Sequence, residues 1–446
     1  MGKIKMMRPK KLQSITLMIL ILLWVAGCSG SDEASGNDDS GDGVNTIEVS
    51  LLPFIEPEDF ESLVEEFNSS HDNVQVDLTM LGWSDGREQI KTEITSGQGP
   101  DVFYLGALDE AFTESDTLAS AEELGFSQEE LDLFNPLIEG YKANDELLAF
   151  PLGYEMNMLF YRKDILKEHG FEEPPATWKE LYNTAKTISE ATMNGGSPEV
   201  MGLQINGMDE HLNALNLSWG SMFAAAGGEY IQNKESTLNS PAGQETLSFM
   251  KSFYEDNISV PGPSAVNGFG NGEVAMFYFT QPTADQQGWY DDSNMADKWG
   301  MVPMPKGPES SAGHFGGHGV AVNANSEKKE AAGEFVKWLV SPERTKIFME
   351  SAHYVSPFNL DKVDTEIKAE IDEMMSEHSE VWEALNQQLD NNVNEGAVDL
   401  FVQSRQGYTE RWNAQPSHLI PAITGETPIE EALQNIDVQV NQAINQ

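Results

Sequence analysis

Between residues 46 and 105 the chain reads TIEVSL (46–51), PEDFESLVEEF (57–67), VQVDLTM (74–80) and DVFYL (101–105). The first and third stretches alternate apolar with polar residues and are rich in β-branched side chains, the pattern of half-buried strands. In the second, Pro57 opens a run that sets Phe60, Leu63, Val64 and Phe67 at i, i+3, i+4 and i+7, one face of a helix. Ile90 and Ile94 suggest another helix, ended by Gly97, before the strand at Asp101–Leu105. Strand, helix, strand, helix, strand is the grammar of a parallel sheet with helices on its faces. An α/β fold is therefore expected.

The same grammar recurs downstream. Thr177-Trp178-Lys179-Glu180 is a capping box after Pro174-Pro175, and Trp178, Leu181, Ala185 and Ile188 follow on one face. Thr427-Pro428-Ile429-Glu430 has the same form and leads a stripe of Ile429, Leu433, Ile436 and Val440. Ala332, Phe335, Val336 and Leu339 mark a helix that stops before Pro342. No internal repeat or linker separates these blocks, so two lobes would be interwoven rather than consecutive. Trp178, Trp338 and Trp382 lie in helical patterns and read as packing residues.

Composition narrows the function. The 446 residues carry 73 Asp and Glu against 26 Lys and Arg, a net charge of −47. Five of the basic residues precede residue 12, so the remainder carries 21 against 73, a net of −52. Such a surface repels phosphate backbones and anionic lipid, which argues against nucleic acid as a partner and against electrostatic membrane docking. One cysteine excludes an internal disulfide and a cysteine-based zinc cage.

The N-terminus reads as an address. A basic head precedes the apolar run Ile15–Gly27, whose 13 residues fall short of the ~20 that cross a bilayer but suit a signal-peptide core. The run ends Leu23-Trp24-Val25-Ala26-Gly27-Cys28, which resembles the bacterial lipobox, so residues 1–28 are expected to be a lipoprotein signal peptide with Cys28 lipidated. Residues 29–45, SGSDEASGNDDSGDGVN, have almost no apolar side chains and read as an acidic tether. Its Asp38-x-Ser40-x-Asp42-Gly43 echoes an EF-hand loop, but position twelve would be Val49 and flanking helices are lacking. The expected location is the outer face of the cytoplasmic membrane, with the lipid as the one membrane contact.

Several short motifs, in order, resemble those of extracellular solute-binding proteins of ABC importers, the family that includes the maltose-type sugar binders. They are Ser96-Gly97-Gln98-Gly99-Pro100-Asp101-Val102, then Ala149-Phe150-Pro151-Leu152 with Leu159-Phe160-Tyr161-Arg162-Lys163-Asp164, where Arg162 stands for the usual Asn. Pro175-x-Thr177-Trp178-x-Glu180, Gly272-Glu273-Val274-Ala275-Met276, Pro303-Met304-Pro305 and Gly316-Gly317 follow. The resemblance implies a two-lobed, periplasmic-binding-protein-like fold of type II with a hinge, its N-terminal lobe at 46–151 plus 319–357 and its C-terminal lobe at 152–318 plus 358–446. It implies a monomer that captures a carbohydrate between the lobes and delivers it to permease subunits served by a cytoplasmic ATPase, without a cofactor, a metal or enzymatic activity.

Sugars present hydroxyl edges and apolar faces, so their sites pair flat aromatics with acid and amide acceptors. Carried over by position, the resemblance puts Trp83 after the second strand, Tyr104 at the end of the third, and Glu155 just past the crossing segment as a hydroxyl acceptor. It adds Trp412 as a stacking ring, Tyr154, Trp219 and Tyr278 as further candidates, and Phe315, Gly317 and His318 along a return loop. Phe277-Tyr278-Phe279-Thr280-Gln281-Pro282 departs from the family's Gly-plus-aromatic continuation and argues against assuming maltodextrin. Arg87, Arg162, Arg405 and Arg411 are basic residues that could serve an acidic sugar.

Two other readings stay open: a binding protein for a non-sugar solute, and a secreted serine esterase using Ser84. Gly82-Trp83-Ser84-Asp85-Gly86 fits the nucleophile-elbow pattern, but too few strands precede it for an α/β-hydrolase. His314-Phe315-Gly316-Gly317-His318 lacks the intervening Glu of a zinc helix and reads as a cleft loop with tight turns.

Overall fold

The alternation at 46–51 becomes strand β1 (Asn45–Leu51), with Ile47, Val49 and Leu51 turned into the core. The computed structural model describes residues 44–83, 85–108, 110–208 and 213–445. The chain divides into two units, Met1–Asp42 and Gly43–Gln446, and all described residues belong to the second. The expected signal peptide, Cys28 and nearly all of the tether lie outside the described residues, as does Ser84.

Helix α1 (Pro57–Ser70) buries Phe60, Leu63 and Phe67, and Val64 packs at the margin of the same core. Strand β2 (Val74–Met80) then pairs parallel with β1, Ile47 beside Val76. Helix α2 (Gly86–Thr95) buries Ile90 and Ile94 and turns at Gly97, and β3 (Val102–Tyr104) pairs parallel with the other edge of β1. The parallel βαβαβ unit is thus present as expected from its periodicity.

Strand β4 (Phe150–Arg162) is thirteen residues long and joins the two halves of a seven-stranded sheet. Over residues 150–156 it pairs antiparallel with β7 (Phe315–Val322), which returns to β3. Over residues 157–162 it pairs with β5 (Met276–Thr280) and β6 (Trp299–Val302). The order is β5-β4-β7-β3-β1-β2, with β6 beside the end of β4. The register of β7 on β4 shifts between His318 and Gly319. The segment at 314–318, expected to be a cleft loop, is instead mostly strand: residues 315–318 extend alongside Gly153–Met156 before the shift.

The helices follow their stripes. Helix α3 (Trp178–Ala191) begins with the expected capping box, Thr177 accepting from the Glu180 amide and Glu180 reaching back to the Thr177 amide. Trp178 stacks on Phe249 at 4.2 Å and 5°, and Trp382 is buried, both packing residues. Helix α4 (Asn213–Ala225) lies in the core beneath the sheet's second half, and α5 (Lys329–Leu339) ends before Pro342 with Phe335 and Leu339 buried. Near the C-terminus, α6 (Tyr408–Ile423) packs on α7 (Ile429–Ile444).

The second capping box does not form. Helix α7 starts at Ile429 behind Pro428, which offers no side-chain cap, because the Glu426 and Thr427 amides close a turn onto the Pro421 carbonyl. Its apolar stripe still packs, with Leu433, Ile436 and Val440 fully buried. Arg162, the departure from the family motif, fills a local need: it pairs with Asp164 at 2.6 Å and donates to the Phe269 carbonyl at 2.8 Å, ending a short helix. Among the described residues no helix is long and apolar enough to cross a membrane.

Candidate functional site

A cavity of about 1120 Å³ opens between the C-terminal ends of β2 and β3 on one side and the α4 and α6 region on the other. Open α/β sheets place ligands at such strand ends. Seven of the ten expected ligand residues line it: Trp83, Tyr104, Glu155, Phe315, Gly317, His318 and Trp412.

Trp83 follows β2 and leaves 42% of its surface exposed, unusual for so large an apolar ring. It meets Tyr104 edge-on at 5.9 Å and His318 at 5.8 Å, and the Arg87 guanidinium lies 5.2 Å from its ring centre. Behind them Phe54 stacks flat on His318, 4.6 Å away at 10°. Opposite, Trp412 stacks on Tyr408 at 5.5 Å, and Arg411 lies over Tyr230 at 4.3 Å. The rings are held by other rings, so their faces are set before any ligand arrives.

A polar relay runs through the centre. The Tyr104 hydroxyl lies 2.8 Å from His318 Nδ1, and His318 Nε2 lies 3.7 Å from Glu155 Oε2. His318 is thus held between the Tyr104 phenol and the Glu155 carboxylate. Arg87 Nη2 lies 3.4 Å from the Tyr104 oxygen that it donates to. Burial raises the Tyr104 phenol to about 12, only partly offset by Arg87, so Tyr104 keeps its proton. Burial also pushes the Glu155 carboxyl up, but the neighbouring His318 and the Arg87 guanidinium outweigh that and lower it. Glu155 is therefore an ionised acceptor in the cavity at neutral pH. His314 is pushed down to about 4, mainly by burial, with Glu155 opposing and Arg411 assisting, so it is neutral. Gly317 has no room for a side chain: a Cβ would meet the Tyr141 hydroxyl and sit 3.0 Å from the Gly153 carbonyl.

Tyr154, Trp219 and Tyr278 do not line the cavity; each is fully buried. The first and last are displaced by strand parity, since neighbouring residues point to opposite faces. Glu155 faces the cavity, so Tyr154 turns inward between Tyr141 and Phe315; Phe279 faces it, so Tyr278 turns inward. Trp219 stacks on Phe223 at 5.3 Å within α4, while Asn216 reaches the cavity. Of the four arginines set aside, Arg162 and Arg405 lie elsewhere. Arg405 donates to the Gly140 carbonyl at 2.6 Å and to that of Lys142 at 2.5 Å, while Arg87 and Arg411 line the cavity.

Four residues escaped the sequence. Asn206, Asn216, Thr283 and Gln415 line the cavity, are almost fully buried, and each holds one side-chain atom without a partner: Nδ2, Oδ1, Oγ1 and Nε2 respectively. Buried polar atoms normally find a partner, so these four are polar groups that the protein itself leaves unanswered at the cavity wall. Isolated Asn, Thr and Gln in loops and helices carry no spacing signal, and only the fold gathers them.

A preformed cavity lined with aromatic rings, an ionised acceptor and open amides, set at the strand ends of an α/β sheet, defines a small-molecule binding protein. The chain belongs to the bacterial extracellular solute-binding proteins, whose family model matches residues 62–375. It is similar to a probable ABC transporter-binding protein of Deinococcus radiodurans, 29% identical over 224 residues, or 48% of this chain and 52% of that protein. The match thus spans about half the length of that relative. Its fold is also that of the sugar-binding protein MalE from Xanthomonas citri, with 19% identity, a TM-score of 0.73, and coverage of 90% of this chain and 98% of that one. A solute-binding protein of Thermotoga lettingae bound with alpha-D-tagatose matches at 17% identity and a TM-score of 0.71, covering 90% of this chain and 100% of that one. The fold is accordingly two-lobed α/β, as the motifs implied, and the relatives are binding proteins rather than enzymes.

Proposed function

We propose that this protein is the solute-binding component of an ABC importer, that its solute is a carbohydrate, and that it passes the solute to permease subunits. The observation that carries the sugar reading is the Trp83 indole, presented to the cavity beside the Tyr104–His318–Glu155 relay. A flat apolar face next to ionised and neutral acceptors matches the two-sided chemistry of a pyranose. The sugars named for similar folds agree with it. The lobes would be 46–151 with 319–357 and 152–318 with 358–446; of the three junctions, the first falls in β4 and the second in β7, at the register shift between His318 and Gly319. Export and anchoring at Cys28 complete the reading, supported by the apolar run and the lipobox-like Leu23–Cys28.

A thermal-shift panel of mono- and oligosaccharides, amino acids, amines and metal salts tests it. A saccharide at a hundredfold excess over its Kd stabilises by ~2.7 kcal/mol. Such a shift, with the saccharide recovered intact by chromatography, is the expected result. A shift with a non-sugar alone refutes the carbohydrate assignment, and new reducing ends refute the binding assignment. An esterase activity lost on Ser84→Ala would favour the hydrolase reading instead.

A further inference from the structure

We infer that the solute carries a carboxylate, a uronate-bearing oligosaccharide whose acid group is received by Arg87; this rests on the carbohydrate reading above. The chain has nearly three acids for every base, and acids crowd most of its surface. Of the described arginines, Arg162 pairs with Asp164 and Arg344 pairs with Glu66, each at 2.6 Å. Arg405 spends its guanidinium on backbone carbonyls.

Arg87 and Arg411, the two that line the cavity, have no carboxylate oxygen within 4.0 Å among the described residues. They are held by aromatic faces instead. Arg87 sits 5.2 Å from the Trp83 ring centre and 5.7 Å from that of Tyr104. Arg411 sits 4.3 Å from Tyr230 and 5.7 Å from Tyr408, and donates to the Ser404 carbonyl at 2.7 Å and to that of Gln406 at 3.4 Å.

Ring faces hold a guanidinium in place without consuming its in-plane N–H groups; Arg87 spends one on the Tyr104 hydroxyl, at 3.4 Å, and keeps the others for a planar acceptor. The other charged side chains on the cavity are Lys91, whose ammonium lies 3.4 Å from the Thr409 hydroxyl, and the acids Glu88 and Glu155. Glu155 is turned to His318.

The remaining lining fits the rest of such a solute. Asn206, Asn216, Thr283 and Gln415 are polar lining residues that each hold a side-chain atom without a protein partner, a chemistry suited to hydroxyls and ring oxygens. The volume of about 1120 Å³ exceeds the ~300–1,000 Å³ that a drug-sized ligand occupies, leaving room for more than one ring.

Calorimetric titration of the full chain tests this with uronate disaccharides of the gluco, galacto and manno series, their methyl esters, and the matching neutral disaccharides. The expected result is an acid bound at least ~10-fold tighter than its own ester, since ionised acceptors strengthen a hydrogen bond about twofold over neutral ones. Arg87→Gln should bring the acid-to-ester ratio near one. Arg344→Gln, which removes the same charge far from the cavity lining, should leave the ratio unchanged, and melting curves confirm that both variants fold. Equal binding of acid and ester, preference for the neutral disaccharide, or a ratio that survives Arg87→Gln overturns the inference while leaving carbohydrate binding intact. Binding of no saccharide in any form overturns the carbohydrate reading itself.

Discussion

His314 is a histidine that the fold keeps uncharged, and its replacement gives a sharp test of the site's electrostatics. Its imidazole lies within the cavity wall, and burial pushes it from 6.5 down to about 4. The groups facing it oppose one another: the Glu155 carboxylate on β4 favours the charged form and the Arg411 guanidinium on α6 disfavours it. The unfolded chain therefore binds a proton at this residue below about pH 6.5 that the native chain does not bind until about pH 4. Between those values the unfolded state holds more protons, so stability falls as the pH falls. With 6.5 and about 4 as the two constants, the cost at His314 grows by about 2 kcal/mol between pH 7 and pH 5. Below pH 4 it saturates.

His314→Gln keeps a neutral polar group of similar reach and removes this proton. Equilibrium urea denaturation of both proteins at pH 7 and pH 5 isolates the term, because the other histidines cancel in the difference. The variant should lose about 2 kcal/mol less than the parent on going to pH 5. Glu155 does not confuse the comparison, since its carboxyl is held below its usual range and stays ionised above pH 5. Parallel losses in the two proteins would show that the native imidazole titrates near 6.5, and the neutral-His314 picture would fail.

Trp83→Ala should weaken solute binding about tenfold, the worth of an aromatic face against a pyranose, while stability falls by only about 1 kcal/mol because 42% of the residue is exposed; titration calorimetry and urea midpoints check the two halves, and unchanged affinity would remove Trp83 from the site. Gly202→Ala should destabilise the fold by roughly 1–3 kcal/mol or more, since the added methyl runs into the Ala185 backbone of α3 and neither backbone can swing aside; a urea midpoint equal to the parent's would refute that packing.

Much of the scaffold was legible because its signals are local. The 46–105 stretch alternates where it is strand and steps by three and four where it is helix, and burial of Ile47, Phe60, Phe67 and Ile94 follows those periods. The Thr177 capping box was readable for the same reason, its two bonds joining residues three apart. The Thr427 box was misread because a longer-range turn onto Pro421 claimed the Thr427 amide that Glu430 would have capped. Positional resemblance located Trp83, Tyr104, Glu155 and His318 at the cavity, yet missed by one residue at Tyr154 and Tyr278, where a single step along a strand exchanges core for cavity.

The sequence by itself determined the α/β grammar, the strong acidity and the order of motifs that points to solute binding. The tertiary structure decided which side of β4 and β5 faces the cavity, that Trp219 is core, and that Asn206, Asn216, Thr283 and Gln415 converge on the cavity wall with unpartnered polar atoms. It also decided which arginines answer to acids and which answer to rings. The physical reason is range. Periodicity and capping are written in neighbours three or four residues apart, whereas the cavity joins residues from Trp83 to Gln415 whose proximity exists only after β4 and β7 have been paired.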